Sequence, residues 1–417
     1  MRGEALLSAT DAPVPLTRRS LRSRHSLPQG ERDVTHHLSI SRLTLTDFRN
    51  HASLDLGLDS RPVCLFGANG AGKTNILEAL TMLAPGRGLR GAAPLELARD
   101  GGEGRAQLWA VSARVMNDGE ETTIGVGAER TPDGGVKRST RRDGAPATAS
   151  DLAEAARMTW LTPAMDRLWS GPAGDRRRFF DRLTLSRASQ HGQAAAAYER
   201  AMRERQRLLA ERIFDDAWLR GLEREMSAHG AAIAAARVET LERLQSAIDA
   251  RPDGAFPKAV LALEGSLEAR FETGAKSADV EEDFARLLHE MRARDAAAGR
   301  ALDGPHRSDL KARHAAKNMD ADQCSTGEQK ALLLGLTLAQ ARALANDPGA
   351  GPSLILVDEA AAHLDSVRRA ALFEELLANP GQAWLTGTDE NLFDAFGARA
   401  QMFEVRDGRV HSARQNQ

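Results

Sequence analysis

An α/β fold built from the two ends of one chain, with a compact helical lobe set between them, is what this sequence predicts. Three observations carry that reading. Towards the N-terminal side, "LFGANGAGKT" (residues 65–74) places a glycine-rich loop closed by a lysine just after an apolar run. Towards the C-terminal side, "PSLILVDEA" is an apolar run that ends in two acids. Between them, from about Asp175 to Gly299, Ala, Arg, Glu and Leu dominate, with apolar residues at helical spacing.

Composition sets the outer bounds. A chain of 417 residues is too long for one ordinary core and suggests two or three lobes. At 42% hydrophobic and 27% charged it reads as a soluble globular protein. No window approaches the roughly 18 apolar residues of a membrane helix, so the chain is not expected to span a bilayer. Two cysteines, Cys64 and Cys324, sit in different motifs, a sparse usage that fits a reducing cytoplasm. The absence of a Cys/His cluster with ligand spacing argues against a metal or redox centre of that kind. A net charge of −2 neither demands nor excludes a nucleic-acid partner. Aromatic content of 4%, with Tyr198 the one tyrosine, argues against a protein that stacks unpaired bases. Backbone phosphates, met by local basic patches, are the better handle for nucleic acid.

Taken in order, residues 1–37 show neither helical nor strand period and read as a disordered extension. A basic nucleic-acid-binding arm is the alternative there, and a start codon placed too far upstream would produce the same stretch. A secretory signal is disfavoured because the apolar core is missing. "LSISRLTLTDFRNHASLDLGL" alternates as two strands, with Ile40, Leu43, Leu45, Leu54 and Leu56 inward. "RPVCLF" is a short buried strand feeding the loop, and "TNILEALTMLAP" a helix stopped by Pro85 and Gly86. Gln107 to Arg142 carries three strand-like runs, one of them with Lys137, Arg138, Arg141 and Arg142; a solvated hairpin face competes there with a phosphate-contacting patch. Of the central segment, "WLRGLEREMSAHGAAIAAARVETLERLQSAI" and "VEEDFARLLHEMRARDAAAG" each read as one helix, without heptads sustained enough for a long coiled coil. A helix follows the acids through "RRAALFEELLAN", "QAWLTGTD" is another buried strand, and "RAQMFEVRDGRV" closes as a hairpin about Asp407 and Gly408.

Gly67 to Thr74 fits G-x-x-x-x-G-K-[ST], with the preceding strand and following helix that the pattern requires. Such glycines let successive backbone N–H groups curl around phosphates, while the helix start adds partial positive charge. Lys73 then reaches the β- and γ-phosphates, and the Thr74 hydroxyl holds magnesium. Asp358, at the end of its strand, can hold that magnesium through water, and Glu359 can orient or deprotonate an attacking water. In "CSTGEQKALLLGLTLAQA", Ser325, Gly327 and Glu328 open a helix whose N-terminus offers a second anion site. The same residues read as an ordinary cap, Ser325 or Thr326 capping with Glu328 or Gln329 as partner.

As the third member of an ordered set, that stretch resembles the signature motif of ABC-type ATPases, and "AAHLD" falls where those proteins carry their D-loop. "ISRLTLTDFRNH", "GRGLR", "WLTPAMDRLWSGPAGDRRRFFDRL" and "GPHRSDL" extend the likeness: from about Leu38 to Val410 the chain resembles the RecF family, bacterial recombinational-repair ATPases related to SMC heads. The resemblance implies an ABC-type P-loop ATPase head assembled from residues 38–175 and 303–417, with the helical lobe over 176–302. It implies ATP held by Gly67, Ala68, Asn69, Gly70, Ala71, Gly72, Lys73 and Thr74. Magnesium (Mg2+) falls to Thr74 and Asp358, and catalysis to Glu359 with Lys73. It gives Ser325 and Gly327 the γ-phosphate held by a second copy, and places Asp365 across the dimer interface. An ATP-dependent homodimer follows, binding duplex and gapped DNA and including single strands in its range. It would act with RecR and RecO, have RecA downstream, and support SOS induction. Arg138, Arg141, Arg142, Arg176, Arg177 and Arg178 are the candidate DNA contacts. His306 matches the family as well, with nucleotide contact and plain packing both open.

Two departures stand out. Met158-Thr159-Trp160 occupies the place where a sensing Gln is usual, and "LTGTD" has no histidine at the switch position, leaving Thr386 or Thr388 as substitutes. Hydrolysis slower than in transporter ATPases is therefore expected. A transporter ATPase would carry a Gly-Gly-Gln signature, the Gln loop and the switch His, none of which is here. An SMC-type structural protein needs hundreds of coiled-coil residues, whereas a lobe of about 120 residues at ~1.5 Å each, folded back on itself, reaches no great distance. A soluble enzyme using NTP on a small molecule remains the rival reading; it predicts a substrate pocket in the helical lobe.

Overall fold

Two strands, β1 (Leu38–Phe48) and β2 (His51–Gly57), open the ordered core of the computed structural model, which describes residues 37–101, 104, 106, 108–131, 135–213, 215–359 and 364–413. Apart from His37, the extension expected over 1–37 lies outside the described residues. Ile40, Leu43, Leu45, Leu54 and Leu56 are all buried. Ile40 and Leu43 lie an odd number of residues apart yet face one core, because pairing to a later strand shifts register between Ile40 and Arg42. An extra residue at such a bulge resets the alternation.

β3 (Val63–Phe66) leads through the glycine loop into α1 (Lys73–Met82). The three runs expected up to Arg142 are β4 (Ala110–Asn117), β5 (Glu120–Arg130) and β6 (Val136–Arg142). After them come β7 (Ala145–Pro146), α2 (Ala149–Ala155) and β8 (Met158–Leu161). The middle of the chain holds α3 (Ala173–Arg187), α4 (His191–Ala210) and α5 (Asp216–Ala250), then β9 (Ala259–Glu264), α6 (Ser266–Glu272), α7 (Ser277–Glu290) and α8 (Arg292–Ala298). β10 (Asp309–His314), β11 (Met319–Asp320) and α9 (Thr326–Ala345) precede β12 (Leu354–Val357), α10 (Ser366–Leu377) and β13 (Ala383–Gly387). The hairpin β14 (Gln401–Arg406) and β15 (Arg409–Ser412) ends the fold, with positive φ at Asp407 and Gly408 as a tight turn requires.

Both ends of the chain build one sheet, ordered β15-β14-β3-β13-β12-β8 and parallel apart from the β14–β15 pair. Its central strands are near-continuous apolar runs because both faces are covered. Val63, Leu65, Leu354, Leu356 and Trp384 join one core with α1 and the antiparallel sheet β2-β1-β4-β5-β6-β7. Their neighbours Cys64, Ile355, Val357 and Leu385 point the other way, into a core shared with α3, α5, α9 and α10. Period-2 side-chain alternation thus separates the two layers. α5 ties lobe to sheet: Val238, Leu241, Leu244 and Ile248 enter that second core, while Met226, Ile233 and Ala234 pack with Tyr198 and Phe284 in a core of the lobe's own.

Two expectations need correction. The central segment is not purely helical, since β9 pairs antiparallel with β10 in a three-stranded sheet β11-β10-β9. The stretch expected as one helix breaks at Met291 into α7 and α8. Beyond that break Asp295 meets the buried Arg205 at 2.6 Å, and Arg292 meets Glu223 at 2.6 Å.

Candidate phosphate-binding and catalytic site

The glycine loop is shaped by what surrounds it. Gly67 has φ 142°, and a Cβ there would lie 2.3 Å from the carbonyl oxygen of Val405 on β14. Gly72, at φ 118°, would drive a Cβ into Asn50 and His51. Only glycine fits either position. Gly72 is also the N-cap of α1 and offers no side-chain cap, and the first turn carries no acid, so its N–H groups face the loop uncompensated. Lys73 turns back across the loop, its Nζ donating to the carbonyls of Gly67 at 2.7 Å and Ala68 at 2.9 Å. Burial lowers the Lys73 pKa, opposed by the charges of Glu359 and Asp358.

Asp358 and Glu359 follow β12 directly, and three hydroxyl or amide bonds converge there. Thr74 Oγ1 donates to Asp358 at 2.9 Å. Thr386 Oγ1, from β13, donates to the same carboxylate at 2.7 Å and accepts the Glu359 N–H at 2.9 Å. Glu359 sits at φ +52°, a backbone state unusual for a side chain with a Cβ and typical of constrained functional positions. Of the two threonines expected at the switch position, Thr386 is buried between the acids, and Thr388 bonds its neighbour Asp389 at 2.8 Å. Thr74 and Asp358 present the hard oxygens that suit Mg2+, which is held by one or two carboxylates with phosphates rather than by a protein cage. The donor set fits that ion; no group of three or more His, Cys, Asp or Glu suited to a metal occurs among the described residues.

A brace behind the loop was not assigned from sequence. Asn50 Nδ2 donates to the Ala71 carbonyl at 3.0 Å, and Asn75 Nδ2 to Asn50 Oδ1 at 2.7 Å. The buried His51 lies within hydrogen-bonding distance of the Gly408 and Gly72 carbonyls, at 2.7 and 3.2 Å. Glu78 of α1 is fully buried and clasped by Arg49 at 2.7 Å and Arg90 at 2.7 Å. "DFRNH" and "GRGLR" therefore both end on the helix that carries Lys73. Their signal was present as motifs; the left-handed turn that aims them, with φ 45° at Asp47 and 53° at Arg49, was not legible.

Ser325 caps α9 through a reciprocal pair with Glu328: its hydroxyl accepts the Glu328 N–H, and Glu328 accepts the Ser325 N–H at 3.0 Å. Lys317, first, and the Ser325 bonds hold the Glu328 carboxyl down at about 2. A Cβ placed on Gly327 would meet nothing within 4 Å, and its φ is not left-handed, so the folded chain itself does not require glycine there. No hydrogen bond joins this helix start to the phosphate loop among the described residues; its ties run to Lys317 and, one turn on, from Lys330 to Asp166 at 3.3 Å. Asp365 caps α10, accepting the Arg368 N–H at 2.8 Å, with its side chain well exposed.

The candidate DNA arginines divide, and three expectations are corrected. Arg176 is buried, bonded bidentate to Asp309 at 2.8 and 2.7 Å and to the Trp169 carbonyl at 3.2 Å. Arg138 reaches the carbonyls of Met82, Ala84 and Gly86 at the end of α1, and burial lowers its pKa. Neither guanidinium is free for a phosphate. Arg177 also turns inward, to the Ser308 carbonyl at 2.6 Å. Arg141, Arg142 and Arg178 stay at the surface, Arg178 beside Asp175. His306 packs in the lobe, 2.8 Å from the Tyr198 hydroxyl and 3.1 Å from the Ala301 carbonyl. In the Gln position, Met158, Thr159 and Trp160 are buried within β8.

A parallel sheet bearing its phosphate loop and its paired acids on two strands with one strand between them, and a lobe spliced between the two halves of the head, is the ABC-type ATPase head of the SMC kind. The RecF/RecN/SMC N terminal domain family matches residues 39–411. The DNA replication and repair protein RecF of Rhizobium etli (strain CIAT 652) is 49% identical over 379 residues, 90% of this chain and 100% of that protein. RecF of Agrobacterium fabrum is 50% identical over 380 residues, covering 90% and 99%. Among solved structures, the recombination mediator protein RecF with ATP superposes with a TM-score of 0.77 at 20% identity, over 91% of this chain and 98% of that one. The Smc head domain from Pyrococcus furiosus gives 0.50 at 17%, over 90% and 96%. The chain belongs to the RecF family.

Proposed function

We propose that the chain is an ATP-dependent DNA-binding protein of recombinational repair and replication restart, a homodimer that ATP closes and slow hydrolysis reopens. One observation carries the reading: the phosphate loop with its acids and the signature helix start are two separate half-sites, and the latter is open at Gly327, which the fold of one chain does not demand. Two copies related head to tail complete both sites in a closed twofold arrangement.

In that pair, the loop amides and Lys73 hold the phosphates, Lys73 exchanging two loop carbonyls for phosphate oxygens. Thr74 and Asp358 would hold Mg2+, which would supply positive charge to offset that of the phosphates. Glu359 takes the proton of the attacking water, while Thr386 fixes the acid pair. Ser325 and Gly327 of each copy meet the γ-phosphate on the other, with Asp365 beside the junction. Without a histidine at the switch position, turnover is slow.

The DNA assignment rests on the names of the relatives, DNA replication and repair proteins at about half identity over their whole length. Duplex DNA next to single-strand gaps is the destination we infer, with RecO and RecR assisting, RecA loaded downstream, SOS induction supported, and the cytoplasm as the setting. Arg141, Arg142 and Arg178 are the phosphate contacts retained from the arginine set. Glu359→Gln is expected to trap the ATP-bound dimer. Light scattering with and without ATP checks this; equal monomer fractions in both would overturn the proposal.

A further inference from the structure

Where the loop after α1 meets α3 and α4 there is a pocket of about 910 Å³. None of its lining residues belongs to the phosphate loop, the acid pair or the signature helix. Trp160, Met165, Leu168, Phe179 and Leu185 give it an apolar wall. Over that wall lies Arg182, its guanidinium carbon 4.3 Å from the Trp160 ring centre and 5.2 Å from that of Phe179.

Arg182 has five N–H donors to satisfy. Nη2 donates to the Trp160 carbonyl at 3.1 Å and touches the Met165 sulfur at 3.7 Å. Nε is sealed from solvent with no partner. Among the described residues no carboxylate pairs with it, and burial lowers its pKa to about 9, still charged at neutral pH. The acids that line the pocket are already engaged, Asp175 by Arg178 and Asp181 by Arg237 and His191. Arg87 and Arg167 also line it, neither in an ion pair among the described residues.

A part-buried cation that lacks an anion works against stability, and stacking on an indole offsets only part of that cost. An occupant of opposite sign would settle it. We propose that this seam pocket binds a small organic anion, its carboxylate, sulfonate or phosphate head on Arg182 and an aromatic or aliphatic body along the Trp160–Phe179 wall. The volume is that of a ligand cleft. A phosphodiester backbone has no apolar body to lay on this wall. The chain's own N-terminal stretch, with Arg18, Arg19, Arg22 and Arg24, has the wrong sign.

The test uses the full-length protein and 8-anilinonaphthalene-1-sulfonate, with the neutral N-phenyl-1-naphthylamine as control. Saturable binding of one sulfonate per chain is expected, at least tenfold weaker for the neutral analogue. Arg182→Met, which keeps much of the bulk and an apolar contact with the rings, should weaken the sulfonate at least tenfold while the thermal midpoint stays or rises. Ala164→Trp, at an exposed position on the lining, should block it with the fold intact. Equal binding by wild type and Arg182→Met would overturn the proposal, as would a midpoint several degrees lower in Arg182→Met, which marks the arginine as structural. Stoichiometric displacement of the probe by a duplex oligonucleotide would overturn it in favour of a nucleic-acid track.

Discussion

Thr386 joins the two acids of the site through one hydroxyl, donating to Asp358 and accepting from the backbone of Glu359, so its loss would loosen a carboxylate and a strained backbone together. Thr386→Val keeps the shape and removes both bonds; turnover should fall about 10- to 100-fold, the range for partners that orient a ligand-holding carboxylate, with ATP affinity changed far less. Thr386→Ser should restore most of the rate, and a Val variant as fast as wild type would remove Thr386 from this role. Gly327 allows a sharper contrast. In a lone chain Gly327→Ala meets no atom, and should gain up to about 0.5–1 kcal/mol from reduced backbone freedom. In the proposed dimer its methyl would stand between the helix start and a phosphate. Calorimetry should show an equal or higher melting temperature and light scattering no ATP-driven dimer; retention of that dimer would count against the composite site.

At the scale of elements, the lobe is held by ion pairs that cross helices. Asp181 of α3 meets Arg237 of α5 at 2.8 Å and His191 of α4 at 3.0 Å. Burial alone would raise the Asp181 pKa, but its bonds to His191 and Arg237 prevail and bring it from 3.8 down to about 2. A depressed carboxylate contributes stability that is present above its unfolded value and is lost as pH falls through the folded one. Asp181→Asn should therefore be less stable than wild type at pH 7 in urea unfolding, with the gap closing between about pH 4 and pH 2. A gap that held steady to pH 2 would refute the assignment. The lobe's sequence also concealed a strand. "AVLALE" alternates inward and outward along β9, yet it lies in Ala- and Leu-rich surroundings whose composition reads as helix. What makes it a strand is β10, some fifty residues later, a long-range pairing that no local pattern carries.

For the whole molecule, the phosphate loop, the acid-tipped strand and the capped helix were legible because each is a local pattern with its own turn chemistry: glycine where a Cβ would collide, acids where a buried strand ends, Ser with Glu three residues on. Arginine roles were not. Arg176 and Arg178 stand in one run, but α3 turns one onto Asp309 and the other towards solvent, and that choice is made by helix phase against a core the sequence does not display. The assembly we propose rests on the same local facts: one phosphate loop and one signature start in the sequence of each chain, with no hydrogen bond between them among the described residues.

Mixing two inactive variants tests this most directly. Lys73→Ala disables the loop and spares the signature; Ser325→Arg does the reverse. Apart, neither should hydrolyse ATP, and an equal mixture should recover about a quarter of the wild-type rate, since half the dimers are mixed and each holds one intact site. A mixture no more active than the sum of its parts would contradict the account.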